Sequence, residues 1–196
     1  MICRIERRKL SIFALSCLAA SVAAVVWTAT DEDPTPAVAP TAAATAEPTA
    51  ATATFAGGTA QRLPEQTRNP HVAVGERHPP YNSRPATSGW HHVETVRWGV
   101  HDVVIPDEYL VHNLEHGGVG IHYDCPQGCD DLVEELAAIA RRYDKTVMSP
   151  YQGMDTTIGL TSWTFIDRLD EVDEKRITEF IEAHMSQPPA PEYSVR

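Results

Sequence analysis

Residues 10–29 run for 20 positions without one charged side chain, directly after Arg4, Arg7, Arg8 and Lys9. As a helix this stretch would measure about 30 Å, the thickness of a bilayer's hydrocarbon core. A basic flank before such a run holds the N-terminus in the cytoplasm and sends the remainder across the membrane. The expectation is a cytoplasmic tail at 1–9 and a transmembrane anchor at 10–29, with a cleaved signal peptide as the alternative for the same stretch. The protein would then be a single-pass cell-membrane protein with its C-terminal part extracytoplasmic.

Residues 30–62 are dominated by Ala, Thr and Pro and hold few large apolar side chains. Such a segment cannot bury enough surface to offset its ordering entropy, so it reads as a disordered linker. That leaves 63–196 as one domain of ordinary size. The net formal charge of −11 falls on this part, which excludes a nucleic-acid role, because phosphate recognition needs a basic face. The contacts expected instead are the membrane, through the N-terminal helix, and a protein partner in the envelope.

Within the domain, Asn69-Pro70, Pro79-Pro80, Arg84-Pro85 and Ser88-Gly89 punctuate an opening arm of loops. Residues 93–104 suit one or two short strands. A helix is expected over 107–116, stopped by Gly117-Gly118 acting as a C-terminal glycine cap, followed by an alternating strand at 119–123. Residues 130–143 carry Leu132, Val133, Leu136, Ile139 and Ala140 on one helical face. Strands are read at 146–148 and 156–166, and a last amphipathic helix at 173–185 with His184 as a cation near its C-terminus. The fold class is α+β: a single small domain with short mixed strands and about three helices.

The chemistry concentrates in Val111-His112-Asn113-Leu114-Glu115-His116-Gly117. Histidines four apart on a helix project from one face, so His112 and His116 can share a metal ion. His91, presented after Thr87-Ser88-Gly89-Trp90, is the expected third ligand, and Glu115 is placed to orient a ligating imidazole. Three imidazoles suit one copper or zinc ion, and Met154 as an extra thioether ligand would favour copper. His71, His78, His101 and His122 read as ordinary surface or core residues. Of the four cysteines only Cys125 and Cys129 reach the oxidising side, where a disulfide between them would close a small loop.

These stretches resemble the DUF3105 family of bacterial domains. The resemblance rests on Asn69-Pro70-His71-Val72, Thr87-Ser88-Gly89-Trp90-His91, the His112 to Gly117 core and Ser149-Pro150-Tyr151 with Met154. It extends through Leu160-Thr161-Ser162-Trp163, Phe180-Ile181 and Pro191-Glu192. It implies a membrane-anchored or exported domain whose pattern includes histidines matching His91, His112 and His116, and it implies no established activity. The chain departs from the family pattern at Trp90, where members usually carry Pro, and at Cys125 and Cys129.

Three function classes follow. The first is an extracytoplasmic metal-binding domain, a copper carrier or buffer, clamping the ion with His112 and His116. The second is a scaffold domain that binds an envelope protein without metal. The third is a zinc hydrolase, because His112-Asn113-Leu114-Glu115-His116 matches the His-x-x-Glu-His pattern in which the carboxylate activates water. The Gly117-Gly118 stop and the lack of a clear third acidic ligand place the hydrolase last, so no catalytic residue is assigned.

Overall fold

The computed structural model describes residues 60–68 and 70–195. The tail, the anchor and nearly all of the linker expected at the N-terminus lie outside the described residues. Among the described residues no helix is long and apolar enough to cross a membrane.

Six strands form one mixed sheet in the order β1-β6-β5-β3-β4-β2. They are β1 (Gln61–Arg62), β2 (Gly99–Val100), β3 (Val119–Tyr123), β4 (Thr146–Pro150), β5 (Ile158–Ser162) and β6 (Phe165–Leu169), with helices α1 (Asp107–Glu115), α2 (Asp130–Ala140) and α3 (Glu174–His184). β3 and β4 are parallel neighbours. A parallel pair needs a crossover, and α2 supplies it. β5 and β6 complete an antiparallel side against β3.

Alternation along the strands sorts the two faces. Val119, Ile121, Met148, Ile158 and Leu160 bury against Leu136, Ile139 and Ala140 of α2 and Ile177, Phe180 and Ile181 of α3. Val147, one residue from Met148, packs oppositely with Ile105, Leu110 and Tyr151, so α1 and its flanking loops cover the other face. Cys125 and Cys129 are joined by a disulfide that ties the end of β3 to the start of α2.

The expected α+β class and three helices are found among the described residues, with differences of detail. Residues 156–166 hold β5, a tight turn at Trp163-Thr164, where Thr164 takes a φ of 65°, and the first two residues of β6. No glycine or asparagine marks that turn, which is why the stretch read as one strand. Ala60, Gln61 and Arg62, which the sequence reading placed in the linker, belong to the folded domain, because β1 pairs with β6 and Ala60 is buried in the core. Residues 93–104 contribute only β2.

Candidate metal centre

The centre is built on α1. Pro106 is the N-cap residue and its carbonyl accepts from Tyr109 N–H and Leu110 N–H, and Asp107 and Glu108 occupy the first turn. Leu110, Val111 and Leu114 are buried in the apolar clusters beside it. The remaining stripe, Glu108, His112 and Glu115, follows the helical repeat, with His116 capping the end. The stop is a Schellman motif: Gly117 N–H donates to Leu114 O and Gly118 N–H to Asn113 O, with Gly117 at a φ of 76°.

The opening arm lies across this stripe. Asn113 holds the stretch that follows the arm as a strand partner would, accepting from Val96 N–H and donating to Val96 O. His71 and His91 are paired in a parallel bridge, in which Val72 N–H donates to His91 O at 2.8 Å. Their rings meet edge to face at 5.0 Å, and both lie within 6 Å of the His112 ring. The buried turn Thr87-Ser88-Gly89 fixes the approach to His91, and Gly89 adopts a φ of 117°.

One nitrogen each of His71 and His112 and one carboxylate oxygen of Glu115 lie within 4.8 Å of one another. His91 Nε2 stands 3.0 Å from Glu115 Oε2, and His112 Nε2 stands 3.9 Å from the same oxygen. His116 Nε2 is 3.0 Å from His112 Nε2. His91 and Glu115 are 0% and 1% exposed. The His91 Nδ1–H donates to Gly89 O at 2.8 Å, so Nε2 is the nitrogen aimed at Glu115. Despite that contact, His91 Nε2 and Glu115 Oε1 are buried without a directed hydrogen bond. Buried polar atoms of this kind call for an explanation, and a cation among them is one.

Electrostatics prepare the donors unequally. Burial, reinforced by the neighbouring His116 and His91, pushes the His112 imidazole below its ordinary value, so it stays neutral. Burial also acts to lower His91, but Glu115 outweighs it and the net shift is upward. Burial would raise Glu115, yet its contact with His91 and the adjacent His112 and His116 hold it below the usual carboxylate range. A neutral imidazole beside an ionised carboxylate is the state a metal needs.

The structure therefore groups His112 and Glu115 with His71, which the sequence reading placed among the ordinary histidines, while the expected ligands His91 and His116 flank this group through single contacts with Glu115 and His112. Only the pairing of two distant loops reveals His71, although Asn69-Pro70-His71-Val72 stood among the stretches that carry the family resemblance. Glu115 stands among the donors themselves instead of behind them. Met154 packs with Ile105, Leu110, Val147 and Tyr151 and rests against Gly159, so the reason to favour copper through a thioether falls away. For a hydrolase, Glu115 would have to serve as base while its carboxylate is drawn into the donor group.

The other histidines have separate roles. His92 packs on Tyr109, His78 stacks on Trp90, and His101 bonds to Arg97 O. His122 is enclosed and reaches Thr161 Oγ1 at 2.9 Å, with burial pushing it down to about 3. His184 lies against Phe165 and Phe180, and burial lowers it to about 4. It is a neutral core residue, and the helix-end cation read from the sequence is not present there.

A family model described as a protein of unknown function, DUF3105, matches residues 71–196. No curated protein and no solved structure matches the chain.

Proposed function

Given that the chain belongs to the DUF3105 family, we propose that it is a metal-binding domain, tethered outside the membrane by residues 10–29 and acting as a carrier or buffer of a divalent transition ion. The observation that carries this reading is the convergence of His71, His112 and Glu115 within 4.8 Å, with the Nε2 of His91 against the same carboxylate. Three donors on one zinc ion sit about 3.3 Å apart, so movements of roughly an ångström would close the set. Imidazole nitrogens with one carboxylate oxygen, and no sulfur, suit Zn2+ or Cu2+.

A second reading has its own support. The His91–Glu115 pair could serve as a buried ion pair pinning the arm to α1, which leaves a scaffold without metal. Titration of the purified full chain with Zn2+ and Cu2+ in competition with a chromophoric chelator separates the two. The metal reading expects one ion per chain, lost in Glu115→Gln and in His71→Ala/His112→Ala. The scaffold reading expects no binding in any form.

A further inference from the structure

The donors fall into two groups that share His112. The inner group is His71, His112 and Glu115. The outer group consists of His112, His116 and Glu192: His116 Nε2 faces His112 Nε2 at 3.0 Å on one side and Glu192 Oε2 at 3.4 Å on the other. Along the helix-end side of the centre, side-chain exposure falls from 45% at Glu192 to 20% at His116, 10% at His112 and 2% at Glu115, while His71 on the opening arm is itself exposed.

Glu192 is held in place by more than its contact with His116. Its N–H donates to Glu115 O at 3.0 Å, and Ser186 N–H donates to Gly117 O at 2.8 Å. Lys145 Nζ bridges His116 O and Val195 O, at 3.0 and 2.7 Å. Ala190 is buried with Val111, Leu114 and Trp163. These ties, and not the contact with His116 alone, hold the Glu192 carboxylate beside the centre.

We infer that His116 and Glu192 form the entry site for the ion. An incoming divalent transition ion exchanges water for the Glu192 carboxylate and the His116 imidazole. It then passes inward as His112, whose Nε2 lies 3.0 Å from His116 Nε2 and 3.9 Å from Glu115 Oε2, replaces a further ligand. Glu192 speeds loading and release alike and contributes little to the final affinity. The inference rests on the metal-binding reading above.

The test is stopped-flow mixing of the full chain, in detergent micelles, with Zn2+ and with a chromophoric zinc chelator, to obtain association and dissociation rates. Glu192→Gln is compared with wild type and with Glu171→Gln, an exposed carboxylate that serves as control for the lost charge. The expected result is an association rate roughly threefold or more below the control, with dissociation slowed alike. An association rate equal to that of Glu171→Gln overturns the entry site and leaves the metal reading standing. A wild-type chain that takes up no Zn2+ overturns both.

Discussion

His112 and His116 present Nε2 to Nε2 at 3.0 Å across the last turn of α1. Two such nitrogens cannot both carry protons at that distance without repulsion, and burial already disfavours charge on His112. A shared proton or a shared cation resolves the contact. The geometry of a single ion bound by both rings requires nearly the same separation.

The two rings should differ in weight. His112 belongs to both donor groups, so His112→Ala is expected to weaken Zn2+ binding by at least about a hundredfold, whereas His116→Ala should cost nearer tenfold. Competition titration gives both constants. Equal losses would contradict the hierarchy.

Binding should release protons. Burial acts to lower the His91 pKa, but its contact with Glu115 raises it, and a cation that takes over the Glu115 carboxylate removes that support and favours the neutral imidazole. Affinity is therefore expected to rise with pH through the His91 titration, and His91→Gln should flatten that dependence. Calorimetry in buffers of different ionisation heat measures the released protons directly.

Acid should destabilise the fold through His122. Its folded value of about 3 lies below the ordinary 6.5, so the unfolded chain binds the extra proton between those limits. The contribution is complete above about pH 6.5 and is lost as pH falls, at up to about 1.4 kcal/mol per pH unit. His184, lowered to about 4, adds to the same slope. His122→Gln keeps a partner for Thr161 without a titrating ring, and urea unfolding from pH 7 to 4 should show its slope reduced by about one proton.

Gly117 should resist substitution. A Cβ there would lie 3.0 Å from the backbone of both Ser186 and Tyr193, on a residue with positive φ. Gly117→Ala is expected to cost about 1–3 kcal/mol. It should also displace the segment bearing Glu192, slowing metal uptake as well as lowering the midpoint of thermal unfolding.

The sequence made the local part of this site readable. Helical spacing placed His112 and His116 on one face, and the glycine pair marked where α1 ends. His71 was hidden because its role depends on the pairing of residues 70–72 with His91, a contact between loops that no periodicity announces. His184 was misread for a related reason: its position in the helix suggested a cation, but tertiary packing against two phenylalanines decides its charge. Thr164 shows the same limit in the fold, since a hairpin turn without glycine leaves no local mark.

The most direct test is anomalous diffraction at the zinc absorption edge from crystals of the protein grown with Zn2+. One peak is expected, about 2.0–2.2 Å from a nitrogen of His71, a nitrogen of His112 and an oxygen of Glu115. A map with no peak there, and with the His91–Glu115 contact intact, would contradict the account.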